Sequence, residues 1–463
     1  MHIQKALKIY TLLIILPVIF QCSSNFVIND SKPPINEFIY HTMKDVYLWN
    51  DTIPAIDYAS YDNPEELFNA LLNKDKDHWS FMYKVDRSLE LEFGEEYGLG
   101  LYFMWVQNGE LWDLRVGYVK SSSPAYYSKI QRGYTIVTIN SQPVSGVQSI
   151  EEGSTNLQNA IANRDIIELK ILDNKKTEQE ITLQKDIYRS SAIGVNTTLT
   201  TAKGTVGYLE YRSFDYSQNP YEEDTNPYSD LDSAFSHFKN ENIKDLIIDL
   251  RYNGGGSVDV SRHLASLIYN KEGEIFQKSY TNGRNFEPIV SSYFNSQIDY
   301  YYSYGDYLLR NLMPQQGYFT HYFDHTVTST GLRRVIFITT EMSASASESL
   351  INSLRPFIEV IIIGQATHGK YVGMSGFSYN DYVFYPIMFK GYNAEGYGDF
   401  VDGLPADCIV EDNLDFQLGD VNEPCLKEAL YYIENNRFSN TPAKSASTKE
   451  VPLAGLNRIY RSF

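Results

Sequence analysis

Apolar residues are spaced in three ways along the chain, and each spacing predicts a different kind of element. Ile35, Phe38, Ile39, Met43, Val46 and Tyr47 recur at helical intervals. Asn63-Pro64-Glu65-Glu66 then offers an N-cap, a first-turn proline and a capping-box carboxylate for a second helix. Residues 35–94 are therefore read as a small helical region whose role is packing. Between residues 95 and 185 the pattern changes to short β-type runs, Leu114 to Val119, Thr135 to Ile139 and Ile167 to Ile171, separated by polar turns. From 186 to 435, LIIDLR (246–251), VIFITT (335–340) and VIIIG (360–364) are continuous apolar runs, as expected of strands covered on both faces, and they alternate with helical candidates. The fold class is multidomain α/β. Residues 271–333 form a tyrosine-rich insertion with little periodicity, and residues 436–463 read as a flexible tail.

The first 21 residues follow the pattern of a signal peptide. Lys5 and Lys8 precede an apolar run from Tyr10 to Phe20 that is too short to span a bilayer comfortably. Cys22, followed by Ser23, Ser24 and Asn25, resembles a bacterial lipoprotein signal, in which the cysteine is lipidated. Ordinary secretion is the alternative. Both readings place the chain outside the cytoplasm, in the periplasm or on the outer membrane or cell surface, with residues 22–34 as a tether. Elsewhere no stretch carries the ~18 consecutive apolar residues of a membrane span, so membrane contact is expected only through the anchor. In that compartment Cys408 and Cys425 are expected to pair in a disulfide closing a short loop.

Composition narrows the function classes. Among 463 residues, 39 Lys and Arg face 58 Asp and Glu, a net charge of −19, and loss of the leader removes Lys5 and Lys8 as well. Phosphate contacts need clustered cations, so nucleic acid is not an expected partner. A hydrophobic content of 43% with 14% aromatics supplies enough apolar surface to offset ordering entropy.

Three segments in the last region carry candidate chemistry: NGGG (253–256), SASASES (343–349) and ATHGK (366–370), each just after a strand candidate. In open α/β sheets the loops at the carboxyl ends of the strands converge on one crevice. Gly254, Gly255 and Gly256 suit an oxyanion hole or a plain tight turn. Ser345-Ala346-Ser347-Glu348 fits a capping box ahead of Leu350, Ile351 and Leu354. A serine at a strand-to-helix turn is also where a nucleophile is presented, with the following N–H, that of Ala346, available to an oxyanion. No histidine partner stands out. Lys370 serves as base if it is buried and deprotonated, in the Ser-Lys variant of triad logic. On the residues alone, a helix cap and a solvated lysine remain the alternatives.

IIDLRYNGGGS (247–257), TTEMSASASESLINSL (339–354) and IIIGQATHGKYVG (361–373) resemble the motifs of the carboxyl-terminal processing (tail-specific) serine peptidases, and DGLPADCIVEDNLDFQLGD (402–420) resembles the segment that follows them. The resemblance covers about residues 33–435. It implies a PDZ-like domain at 95–185 and a serine peptidase core of ClpP/crotonase-like fold at 186–435. It also implies Ser345 as nucleophile, Lys370 as base, oxyanion donors from Ala346 and from Gly255 or Gly256, no cofactor, and protein or peptide substrates. GLGLYF (98–103), SSPAYYSKIQRG (122–133) and TIVTINSQPV (135–144) resemble a bacterial PDZ domain. That likeness implies a peptide added to a sheet edge, its carboxylate held by amides near Gly98, Leu99 and Gly100. Many members carry a glutamine four residues after the lysine; here Met374 stands there, and a thioether cannot donate as an amide does.

Three other readings compete. GQATHGK (364–370) satisfies a phosphate-loop spacing, but Tyr371 stands where Ser or Thr would hold Mg²⁺. A PDZ-like peptide-binding protein with a weak or inactive core is the second. His321 and His325, with Asp324 between them, have the spacing of a metal pair on a helix; with no third ligand identifiable, no metal is assigned.

Overall fold

The computed structural model describes residues 34–84, 91–282, 318–379 and 381–439. The expected leader, Cys22, the tether up to residue 33, the middle of the tyrosine-rich insertion and the tail from residue 440 lie outside the described residues.

Both helices expected near the N-terminus form. Helix α1, Ile35–Val46, buries Phe38, Ile39, Met43 and Val46. Helix α2, Pro64–Leu71, starts at Asn63, whose side chain accepts the Glu65 N–H at 2.9 Å. The region is not purely helical, however. Strand β1, Phe81–Lys84, pairs antiparallel with residues 382–385, Phe81 lying opposite Tyr385. The two helices bury their apolar faces against Val372, Phe377, Phe384 and Ile387, so this region shares its core with a distant part of the chain.

The second region contains β2 (Glu95–Gly98), β3 (Leu101–Asn108), β4 (Leu111–Val119), α3 (Pro124–Tyr127), β5 (Thr135–Ile139), β6 (Gln142–Pro143), α4 (Ile150–Ile161), β7 (Ile166–Leu172) and β8 (Glu178–Gln184). Its main sheet runs β3-β4-β5-β7-β8 with antiparallel neighbours. Strand β3 is covered on both faces. Leu101, Phe103 and Trp105 enter the core beneath α4, whereas Met104 and Val106 turn toward Tyr252 and Leu414 of the third region. Strand β9, Asp186–Arg189, pairs back with β2.

The third region opens with β10 (Ile193–Thr201) and β11 (Gly204–Tyr211), followed by α5 (Ser229–Asn240), β12 (Asp245–Asp249), α6 (Val258–Ile268), β13 (Ile275–Tyr280), β14 (Tyr318–Tyr322) and β15 (Arg334–Thr339). It continues with α7 (Ala346–Leu354), β16 (Glu359–Gly364), β17 (Val372–Met374), β18 (Phe377–Tyr379), β19 (Tyr382–Tyr385), β20 (Ile387–Tyr392), β21 (Cys408–Ile409) and α8 (Pro424–Asn435). The central sheet has the order β10-β11-β12-β15-β16-β21 and is parallel from β11 onward. Leu246, Ile248, Val335 and Phe337 face α5, α6 and α7, while Ile247, Ile336, Ile338 and Ile363 face α8. Two covered faces explain why these strands read as unbroken apolar runs.

Strand β12 stops at Asp249, two residues short of the apolar run, because Arg251 turns into a buried ionic network. Its guanidinium donates to Asp249 at 2.6 Å, Asp412 at 2.5 Å and Glu423 at 2.8 Å, and Arg132 of the second region donates to the same Asp412 oxygen at 2.5 Å. Burial opposes ionisation of Asp412, but Arg132 and Arg251 hold its carboxyl down at about 2. The network fastens the second region to the end of the central sheet.

The expected disulfide does not form. Cys408 and Cys425 are buried free thiols in the layer between the sheet and α8, and the Cys425 thiol faces the carbonyls of Val410 and Glu411 at 3.7 and 3.8 Å. They pack as small apolar side chains.

Candidate active site

The three loops that carry the candidate chemistry meet at the carboxyl ends of β12, β15 and β16. Side-chain hydroxyls stitch the serine loop to the glycine turn. Ser343 Oγ donates to Leu250 O at 2.7 Å, Ser347 Oγ to Asn253 O at 2.9 Å, and the Ala344 N–H to Asn253 O at 3.1 Å. Between these ties Ser345 is held at φ +57° and ψ −111°, a conformation that L-residues rarely adopt. Such strain persists only where the surroundings over-determine it, and here it lifts one serine out of the turn just before α7.

Gly255 sits against this serine. A Cβ on Gly255 would lie 2.8 Å from Ser345 Cβ and 3.1 Å from the Ala346 nitrogen, so only glycine permits the approach. Its own N–H donates to Asn253 Oδ1 at 2.9 Å and is already engaged. Of the expected oxyanion donors, the amides of Ala346 and Gly256 are the two with no such bond among the described residues.

Glu348 joins the serine loop to the lysine loop. Fully buried, its carboxylate accepts four donors: Oε2 takes the Ser345 N–H at 2.8 Å and the Lys370 N–H at 2.9 Å, and Oε1 takes the Gly369 N–H and Thr367 Oγ1, both at 2.6 Å. Burial pushes this carboxyl up, against the pull of those four donors. The sequence shows Glu348 only as a capping-box residue. It does reach back to the Ser345 N–H as a cap should, but the second half of its role depends on a loop 19 to 22 residues away and leaves no local signal.

Lys370 is half-buried, and loss of hydration pushes its ammonium down to about 8, against the opposing influence of Glu348 and Asp77. Nζ lies 3.8 Å from Met374 Sδ. The phosphate-loop reading fails on the same geometry, since the Gly369 and Lys370 amides turn to Glu348 and the strand β17 follows, not a helix.

Gly98, Leu99 and Gly100 are not brought to this centre. Gly98 pairs with Asp186, Leu99 O accepts the Ala125 N–H at 3.0 Å, and Gly100 O accepts the Lys120 N–H at 2.8 Å. The second region nevertheless touches the serine loop and the glycine turn: Tyr102 OH donates to Met342 Sδ at 3.2 Å, and its ring lies 5.6 Å from that of Tyr252. His321 lies on strand β14 and His325 beyond its end, so their spacing is not that of a helical pair.

Residues 205–409 match the description Peptidase family S41, and residues 34–81 match Peptidase S41 N-terminal domain; together these take in more than half of the chain. The chain is 25% identical over 255 residues to carboxyl-terminal-processing peptidase 3, a chloroplastic protein of Arabidopsis thaliana, a match covering 54% of this chain and 41% of that relative. A crystal structure of a protein assigned to the S41 proteases, from Bacteroides fragilis, superimposes with a TM-score of 0.64 at 19% identity, over 88% of this chain and 99% of that one, and shares the fold.

Proposed function

The chain belongs to peptidase family S41, a family of serine peptidases, and from that premise we propose that it hydrolyses peptide bonds with Ser345 as nucleophile and Lys370 as general base. The observation that carries this reading is the single Glu348 oxygen that accepts the N–H groups of both residues. Ser345 Oγ attacks the scissile carbonyl carbon as its proton passes to neutral Lys370 Nζ. The resulting oxyanion rests on the amides of Ala346 and Gly256. The lysine ammonium then protonates the departing amine as the C–N bond breaks, leaving an acyl ester on Ser345. Water adds to that ester, gives its proton to Lys370, and expels the serine, which recovers its proton from the lysine.

A cavity of about 570 Å³ supports an extended peptide as substrate. It lies where Glu96 and Lys120 of the second region face Arg212, Ser213 and Asp215; Phe214, between the last two in the chain, bonds through its backbone to Gly255 and Ser257. Unstructured chains, taken by their C-termini through the PDZ-like region, are the substrates we infer. The leader pattern before Cys22 supports an exported, lipid-anchored protein, and labelling with a fatty-acid analogue should be lost in Cys22→Ala.

The test is cleavage of an unstructured, terminally labelled reporter protein by the chain from residue 22 onward, with fragments identified by mass. Fragments from the wild type and none from Ser345→Ala or Lys370→Ala are expected. Cleavage surviving in either variant would overturn the assignment. A wild type that binds peptide C-termini without cutting them would favour a binding protein instead.

A further inference from the structure

With Met374 following Lys370 by four residues, the group that steadies the lysine once it is protonated is not obvious from its own strand. The N-terminal region supplies a candidate. Asp77 lies in a turn after α2 and is only 6% exposed. Its Oδ1 accepts the N–H groups of Trp79 at 3.0 Å and Ser80 at 2.8 Å, and its Oδ2 accepts Tyr47 OH at 2.8 Å. Tyr47 is itself fixed by the Asn73 N–H at 3.0 Å. No salt-bridge cation is paired with this carboxylate among the described residues.

Two contacts press the turn onto the segment that carries Lys370. The Trp79 ring meets Tyr371, the residue after Lys370, edge to face at 6.0 Å. Ser80 Oγ accepts the Ile387 N–H at 2.9 Å and the Leu48 N–H donates to Ile387 O at 2.8 Å, so the N-terminal region grips both backbone groups of one residue. Ile387 is the register partner of Met374, whose sulfur is the atom beside Lys370 Nζ.

We propose that Asp77 is a positioning residue for Lys370, an anion delivered by the N-terminal region that holds the lysine ammonium after it has taken the proton from Ser345. The inference rests on Lys370 being the base. Asp77 acts through the field it shares with Glu348, the other carboxylate acting on the lysine. Other titratable or charged groups nearby are Lys74, Asp75 and Lys76 in the same turn as Asp77, His78 beside Trp79, His368 and Tyr371 beside Lys370, and Lys390, which lies 5.2 Å over the Tyr371 ring and pairs with Asp399 at 3.2 Å. The N-terminal region thereby becomes part of the catalytic centre as well as its packing.

The experiment titrates Lys370 by NMR in the full chain labelled with ¹³C at lysine Cε, comparing wild type, Asp77→Asn and Glu348→Gln. Removing a carboxylate from beside an ammonium lowers the lysine midpoint, so Asp77→Asn should move it down by about half a pH unit or more. The acid limb of kcat/KM should move down with it, and the rate at the optimum should fall severalfold. A packing role alone would lower the melting temperature and leave both midpoints in place, which overturns the proposal. If Asp77→Asn fails to fold, Tyr47→Phe serves: it keeps the carboxylate, removes a neutralising donor, and should move the midpoint upward, an unchanged midpoint again overturning the idea. Because the NMR midpoint is read without substrate, a shift in a chain that cuts nothing would uphold the coupling and refute the peptidase reading. Intact cleavage with no shift would do the reverse.

Discussion

Around Ser345 the holding contacts come from the ends of neighbouring sheet strands and from its own helix: Ser343 to Leu250, Ala344 and Ser347 to Asn253, and Glu348 back to Ser345. Around Lys370 they come from three separate parts of the chain. Glu348 fixes its backbone, Met374 touches its amine, and the N-terminal region presses on the residues beyond through Trp79 and Ser80. Ser345 is therefore held by ties among the ends of the parallel strands. Lys370 depends on a docked region, so its pKa and orientation as the proposed base follow tertiary packing more than those of the serine do.

The largest effects should come from the two reacting groups. Ser345→Ala and Lys370→Ala should each lower kcat by a factor of about 10³ or more, and the double variant should be little worse than either alone, because the residues act as a unit. Additive losses in single-turnover rates would break the comparison by showing that the two sides work independently. Next comes Glu348→Gln, the one substitution that strikes both sides. Each carboxylate oxygen accepts two donors, so an amide must turn an NH₂ toward two of them and leave them unsatisfied. A fall of about 10²-fold in kcat with KM little changed is expected, and a fall confined to KM would count against a shared tie.

The same asymmetry decided what was legible in the sequence. The central strands are legible because burial on both faces writes a continuous apolar run, whereas Ser345 reads on its residues as a helix cap and is singled out as a nucleophile only by the family resemblance of its motif. Strand β1 was read as part of a helical region, since its reason for being extended is a partner at Tyr382–Tyr385. Asp77 gave no signal, because its turn is local but its target lies on another segment. The disulfide expectation rests on an oxidising compartment and on Cys408 and Cys425 being the two cysteines left after Cys22, whereas the Cys425 thiol at the start of α8 faces backbone carbonyls. Gly255 or Gly256 is the expected amide donor, and the Asn253 side chain that engages the Gly255 N–H belongs to the same short turn, a detail of side-chain direction that spacing does not carry.

A stability measurement sharpens the contrast further. Lys370 ionises near 8 in the folded chain against an ordinary value of 10.5, so the unfolded chain holds its proton more tightly. Below pH 8 the folded state bears the cost of a buried ammonium, and that cost fades as the pH rises from about 8 to 10.5. Lys370→Met should therefore be inactive yet more stable at pH 7, by roughly 1–3 kcal/mol, with the gain disappearing above the ordinary lysine range. Thermal melts of both forms across this range test the sign. Equal stability at pH 7 would mean that the base is solvated and not buried.

The smallest expected effect is the most discriminating between the two kinds of support. In Met374→Gln the side chain keeps its length, and with Sδ now 3.8 Å from Nζ, a terminal amide oxygen reaches hydrogen-bonding distance of the ammonium. A thioether is a weak acceptor and an amide oxygen a good one, so the protonated lysine gains a partner and its midpoint rises. The acid limb of kcat/KM should then move up by a few tenths of a pH unit, and the plateau rate should change by no more than about threefold. Such a small response is what a lysine already steadied by Glu348 and Asp77 would give. A tenfold gain in plateau rate would instead show that the base had lacked support, and would transfer the burden of positioning Lys370 from the N-terminal region to its own strand.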